Sequence, residues 1–271
     1  MARKKISALT ELITYAPEDV VPIVQIADGP ITKKIKAGNL SQIGRDGWSY
    51  LGLNPIYISA TSIRFENIDL RPLFPVGTKI KITQTTDKFF YVLSAPFSGG
   101  HTTLTVTGGS DFTVANAVIT AFWYSHGLAY AFPEMFNFVP TWTVISGTNP
   151  TLNNGELYGK FQLVGRLCTI TVWVYWGGTT NSGSGNYKFA LPIRCLTTPT
   201  NLQWVGSCHI RDSGVANYER LCMIATATPD DMRYFQKTTE PNNNSFISNT
   251  HPFTFAAGDS ISYTITYGIE V

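Results

Sequence analysis

The segment Gly159–Trp176 limits what this chain can fold into more than any other. It opens with Gly159-Lys160-Phe161-Gln162-Leu163-Val164, turns at Gly165-Arg166, and runs on as Leu167-Cys168-Thr169-Ile170-Thr171-Val172-Trp173-Val174-Tyr175-Trp176. Successive side chains of an extended strand point to opposite faces. Cys168, Ile170, Val172 and Val174 therefore share one face, and Thr169, Thr171, Trp173 and Tyr175 share the other. The pattern predicts a long hairpin, and because both faces carry bulk, both need cover.

Shorter runs of the same kind fill the rest of the chain. Ile56–Ser59, Ser62–Phe65, Thr78–Thr83, Lys88–Leu93, Thr103–Thr107 and Ala117–Thr120 are β-branched or aromatic and separated by turn residues, which predicts six strands in a small β-barrel or sandwich over residues 45–126. In Lys79-Ile80-Lys81-Ile82 the alternation places lysines outward and isoleucines inward. After a linker at 127–135, a C-terminal domain at 136–271 adds Tyr187–Leu191, Gln203–Ile210, Arg220–Ala225, Arg233–Phe235, Phe253–Phe255 and Ser260–Tyr267 to the long hairpin. Two sheets packed face to face in a jelly-roll-like β-sandwich would bury such a set. Composition agrees: 44% hydrophobic and 13% aromatic residues supply a core, while 23 Gly and 15 Pro interrupt long helices. The expectation is an all-β chain.

Residues 1–44 are different. Tyr15 is their one aromatic residue, and they hold six Lys or Arg against four Asp or Glu. They lack the apolar bulk for a core of their own. Ser7–Ile13 is expected to form a short capped helix, and Val20–Ile26 and Thr32–Lys36 to run as extended segments around an Asp28-Gly29-Pro30 turn. Clustered apolar residues in a basic stretch predict an arm that orders against another surface. Over the whole chain, charged residues make up 14%, against about 25% in an average protein, and the formal net charge is +2. A nucleic-acid partner held by bulk charge is not expected. Neither is membrane insertion, for want of a long apolar run, nor a secretory leader, because Glu11, Glu18 and Asp19 interrupt the apolar stretch it would need.

The order of these parts resembles the virion appendage proteins of tailed bacteriophages, short head or collar fibres and tail receptor-binding proteins. Three stretches carry the resemblance: Ile6–Leu12 with Asp19–Val24 and Thr32–Ile35; Gly77–Thr85 running on to Tyr91-Val92 and Thr103–Val106; and Phe138–Thr143 with Tyr158–Phe161 and Val164–Arg166. The resemblance implies a homotrimer that covers the second face of 167–176 and resides in the virion. It also implies an arm docking on a capsid, neck or tail protein through Ile6, Leu9, Leu12, Val20, Val21, Ile23, Val24, Lys33, Lys34 and Ile35. Two functions compete: a receptor-binding fibre displaying the distal sandwich to the host surface, and a purely structural head or neck decoration. A non-viral secreted lectin fits less well without a leader.

For chemistry the residues offer little. No G-x-S-x-G, H-E-x-x-H or G-x-x-x-x-G-K motif occurs, and Asp230-Asp231 reads as turn residues. His101, His126, His209 and His251 stand far apart without ligand spacing, and Cys168, Cys195, Cys208 and Cys222 form no C-x-x-C pair. No enzyme, metal or cofactor is expected, and the cysteines are expected as buried free thiols. A carbohydrate site needs a ring face and short polar groups. Two loops provide both: Trp176–Tyr187, with Trp176, Asn186 and Tyr187, and Asp230–Asn244, with Arg233 and Tyr234. These five residues are the candidate contacts for a host-surface glycan.

Overall fold

Period-two alternation becomes strand through most of the body, as the computed structural model shows for residues 20–25, 31–36, 46–197, 203–225, 231–233, 235–236 and 246–270, which the structure describes. The chain is all-β, with antiparallel sheets and, among the described residues, no α-helix. Strands β1 (Val20–Gln25) and β2 (Ile31–Lys36) pair antiparallel, setting Val21 opposite Ile35 and Ile23 opposite Lys33. Of the expected arm contacts, Ile6, Leu9, Leu12 and the short helix lie outside the described residues.

The small unit contains β3 (Ser49–Tyr50), β4 (Ile56–Ser59), β5 (Ser62–Phe65), β6 (Lys79–Thr83), β7 (Asp87–Ser94), β8 (Phe97–Ser98), β9 (His101–Thr107) and β10 (Ala121–Ser125) in one sheet of order β3-β10-β6-β7-β9-β5-β4, with β8 on β9. Its ends do not join, so it is an open sheet and not a closed barrel. Ile80 and Ile82 are fully buried while Lys79 and Lys81 face outward, Lys81 lying over the rings of Trp48 and Trp123. Loop residues Leu70, Phe74, Val114 and Ile119 cover the inward face. Ala117–Thr120 is not the expected strand. Ile119 is instead drawn in as a core plug, and pairing with β6 begins at Ala121, just before the ring-bearing run Phe122-Trp123-Tyr124.

The C-terminal unit is a β-sandwich of uneven sheets. Its strands are β11 (Phe136–Phe138), β12 (Trp142–Val144), β13 (Glu156–Val164), β14 (Leu167–Tyr175), β15 (Tyr187–Ala190), β16 (Gln203–Asp212), β17 (Ala216–Ala225), β18 (Asp231–Arg233), β19 (Phe235–Gln236) and β20 (Ser260–Gly268). Seven form the sheet β11-β13-β14-β20-β16-β17-β19, and three form β12-β15-β18. The split differs from the eight-stranded jelly roll. Phe253–Phe255 forms no strand: both rings join an aromatic cluster, Phe253 against Tyr218 and Phe255 against Trp176. On β14, Cys168, Ile170, Val172 and Val174 are all buried, facing Trp142, Tyr187 and Phe189 of the smaller sheet. Each such apolar side chain contributes about 1.5–3 kcal/mol.

The two units are tightly joined. Tyr91 of β7 packs into the core of the C-terminal unit with Phe132 and Phe136, at ring centroid distances of 5.0 and 5.4 Å. Asn137 is clamped on three atoms: its carbonyl accepts from Ser110 N at 2.8 Å, and its amide and Nδ2 donate to the Asp111 carboxylate at 2.7 and 2.8 Å. The approach is close enough that a Cβ on Gly109, whose φ is +62°, would sit 2.1 Å from the Asn137 carbonyl oxygen. The segment 127–135 is fastened too. Tyr130 N donates to Asp46 O at 2.6 Å, and Trp48 Nε1 to Tyr130 O at 2.8 Å. Replacing Gly109 with Ala forces this backbone apart, and should lower unfolding free energy by about 1–3 kcal/mol in denaturant titration, whereas Gly100→Ala, which meets open space but shares a positive φ, should cost less.

All four cysteines are buried free thiols. Burial pushes Cys168 and Cys222 from an ordinary 9.0 up to about 12 and Cys195 to about 11. Once unfolded, these thiols ionise above pH 9, which favours the unfolded chain. Stability should therefore be insensitive to these groups below pH 9 and fall progressively between pH 9 and 12. At pH 8, DTNB should label none of them in the folded protein and all of them in guanidinium.

Candidate functional site

The Trp176–Tyr187 loop does not offer its rings to a ligand. Trp176 and Tyr187 are each 1% exposed. Trp176 stacks on Phe255 at 4.3 Å between centroids and meets Trp142 edge-on at 5.0 Å; Tyr187 meets Trp142 at the same distance. Their polar ends turn inward as well: Trp176 Nε1 donates to Ser182 Oγ at 2.9 Å and Tyr187 OH to the Ser182 carbonyl at 3.0 Å, and burial pushes the Tyr187 phenol up. The expectation of a ring-flanked sugar tip is overturned because these rings close one end of the sandwich core and pin the loop over it. The loop is itself tied down, with Thr180 Oγ1 donating to Leu152 O at 2.7 Å and Thr179 Oγ1 to Asn154 Oδ1 at 2.7 Å. Asn186 is half-buried, its carbonyl accepting from Ile145 N at 2.9 Å. In the second loop, Arg233 pairs through its backbone with Lys188, and Tyr234 lies outside the described residues.

Exposed aromatic surface lies elsewhere, on the outward face of the seven-stranded sheet. Antiparallel register sets Tyr158 opposite Trp173, Trp173 opposite Ser262, Ser262 opposite His209, and His209 opposite Glu219. Five adjacent strands thus contribute one side chain each to a single row across the sheet. Tyr158 is 57% exposed. Its ring is nearly parallel to that of Trp173, 5.8 Å away and 7° apart in plane, and Trp173 is in turn 5.7 Å from Tyr175 at 23°. The other end of the row is polar. Ser262, His209 and Glu219 form one wall of an open groove of about 520 Å³, Thr264, Ser207 and Leu221 the other, with Cys208 and Tyr263 at its floor. Beside it a threonine ladder runs between β14 and β20, Thr169 to Thr266 at 2.8 Å and Thr171 to Thr264 at 3.0 Å between hydroxyls.

The Trp173 face was legible in the alternation of residues 167–176, but Tyr158, Ser262, His209 and Glu219 were not. They come from strands up to 104 positions away, counting from Tyr158 to Ser262, and only register aligns them.

A second concave site lies at the joint between the units. This cleft of about 690 Å³ is lined by Lys79, Tyr91, Leu128, Tyr130, Phe132 and Val164 among others. Lys79 Nζ donates to Gly127 O at 2.8 Å and lies 5.2 Å from the Phe132 ring centre, and desolvation pulls its pKa down. The rim is apolar and open to solvent, with Leu128 92%, Tyr130 78% and Val164 67% exposed. Leu167, paired with Val164, extends it. Among the described residues no three His, Cys, Asp or Glu side chains gather to hold a metal ion. Both sites combine rings and hydroxyls with a few charges, Glu219 and Arg220 in the groove and Asp46, Lys79 and Glu134 in the cleft.

Comparison with protein-family models, curated proteins and solved structures returns no match.

The buried rings of the loop allow a direct check. Trp176→Ala should remove about 3–5 kcal/mol of stability, as for other large aromatic core residues, whereas Trp173→Ala, on the outward face, should shift the denaturation midpoint by less than a third as much.

Proposed function

We propose that this chain is a self-associating display protein of a virion, docked by its N-terminal arm and presenting the outward sheet face of its C-terminal sandwich to a host surface. The observation that carries the reading is the apolar rim of the joint cleft. Single exposed apolar residues are ordinary on any protein, but Leu128, Tyr130 and Val164 stand together around one concavity, and contiguous patches of this kind mark interaction surfaces. A second copy of the chain is the occupant the reading assigns to this rim.

Two further features support the same division of labour. The β1–β2 hairpin precedes the body and sets Val20, Val21, Ile23 and Val24 of one strand opposite Lys36, Ile35, Lys33 and Thr32 of the other, a short paired element that suits an attachment arm. The body beyond residue 44 carries equal numbers of acidic and basic residues, 14 of each from totals of 18 and 20 less the four and six of the arm. Neutral bodies of this kind associate readily, since little charge repulsion opposes contact.

Light scattering coupled to gel filtration tests the assembly. The full chain should elute as a species of about three times 29.9 kDa, and the double substitution Leu128→Ser, Val164→Ser should shift it toward monomer with an unchanged far-ultraviolet circular dichroism spectrum. A wild-type chain running at 29.9 kDa at tens of micromolar would overturn the reading.

A further inference from the structure

The row Tyr158–Trp173–Ser262–His209–Glu219 has two halves with different chemistry, and one class of ligand matches both. Neighbouring strands lie about 4.8 Å apart, so five strands carry the row roughly 19 Å across the sheet. Along the first half a ligand meets near-parallel rings with exposed surface. Along the second it meets a hydroxyl, an imidazole and a carboxylate at the wall of a groove. A sugar chain is built the same way: each ring has apolar C–H faces, which pack on aromatic surfaces, and an edge of hydroxyls, which both donate and accept hydrogen bonds. Glu219 supplies an acceptor, Ser262 either role, and His209 a donor on one ring nitrogen and an acceptor on the other when neutral.

We propose that this row is a binding site for one strand of a neutral polysaccharide, lying across the sheet with pyranose faces on Tyr158 and Trp173 and hydroxyls bonded to Ser262, His209 and Glu219. The proposal deepens the display reading and rests on it. Neutrality follows from the charges around the row. Glu156 and Glu219 stand against Lys160 and Arg211 on the same face, and Arg220, which also lines the groove, donates to the Glu219 carbonyl and lies over the Tyr218 ring, so the excess is a single positive charge and a strongly acidic or basic polymer finds little to hold it. Charge also separates this occupant from a second copy of the chain. The core of a protein interface is depleted of charged residues, and a flat protein face covering this row would bury Glu219 and His209 and would have to satisfy both. Sugar hydroxyls satisfy them without loss. The rim of the joint cleft gathers Leu128, Tyr130 and Val164 as exposed apolar side chains, with Asp46 and Glu134 at its edges, and this apolar cluster is the better seat for another copy.

The test is a glycan array spanning bacterial capsular, lipopolysaccharide and peptidoglycan-derived saccharides, probed with the full chain. It is followed by titration of the strongest hit against intrinsic tryptophan fluorescence. Saturable binding that shifts tryptophan emission is expected. Trp173→Ala should weaken it at least tenfold, Trp173→Phe by less, and Glu219→Gln and Tyr158→Ala each severalfold, all remaining folded with no more than the small midpoint shift given above for the outward face. Val118→Ser, exposed on the small unit and outside both the row and the joint cleft, should bind as wild type. The proposal is overturned by saturable binding to nothing on the array, by binding that survives Trp173→Ala, or by binding that Glu219→Gln leaves intact. It is also overturned if Trp173→Ala changes the assembled mass, since a second copy would then be what covers the face. Light scattering keeps the two readings apart: an assembled chain that binds no glycan loses the site and keeps the assembly, and a monomer that binds keeps the site and loses the assembly.

Discussion

Burial of one face of β14 fixes nearly everything else in the C-terminal unit. Cys168, Ile170, Val172 and Val174 are enclosed between the two sheets, each at 1% exposure or less. Side chains in a strand repeat every two residues, so a slip of one position would drive all four into water and pull Thr169, Thr171, Trp173 and Tyr175 inward. That penalty locks β14 against both β13 and β20. Because β20 in turn fixes β16, and β16 fixes β17, the outward row from Tyr158 to Glu219 is set by the inward one. The geometry of the outward face follows from the core and needs no separate device to hold it.

This dependence explains what could be read from the residues and what could not. The all-β class, the long hairpin and the inward set of β14 were legible because a period of two shows itself over a few consecutive positions. The lysine–isoleucine alternation at 79–82 was legible for the same reason. Ala117–Thr120 misled because a short apolar run looks alike whether it pairs with a neighbour or, as Ile119 does, plugs a core. Trp176 and Tyr187 misled in a related way. Aromatic residues beside a glycine-rich loop resemble a ligand platform, but these two point into the sandwich, where Trp142 and Phe255 enclose them. The glycines of that loop serve close packing. A Cβ on Gly185 would lie 1.8 Å from the Ser146 carbonyl oxygen, so the loop lies flat on the structure beneath it. His209 and Glu219 carried no local signal, because their meaning comes from Ser262 and Trp173 on other strands.

The seven-plus-three division of the sandwich has the same origin. Strands β12, β15 and β18 are short, three to four residues each, and the small sheet has three strands against the seven of the large one. What it leaves uncovered is filled by rings that belong to no strand, Phe253 and Phe255, and by the contribution of Tyr91 from the neighbouring unit. Aromatic side chains suit such places, since one ring supplies as much buried area as two small aliphatic residues and packs edge-on or offset against others.

Tyr91 and the Asn137 clamp have a mechanical consequence. The same joint that completes the core also couples the sheet face to Asp46, where the described body begins, through Tyr130 and Trp48. No flexible spacer lies along this path from Asn137 back to Asp46. Under the display reading proposed above, a pull on the outer sheet is carried through the body as through a stiff lever and reaches Asp46.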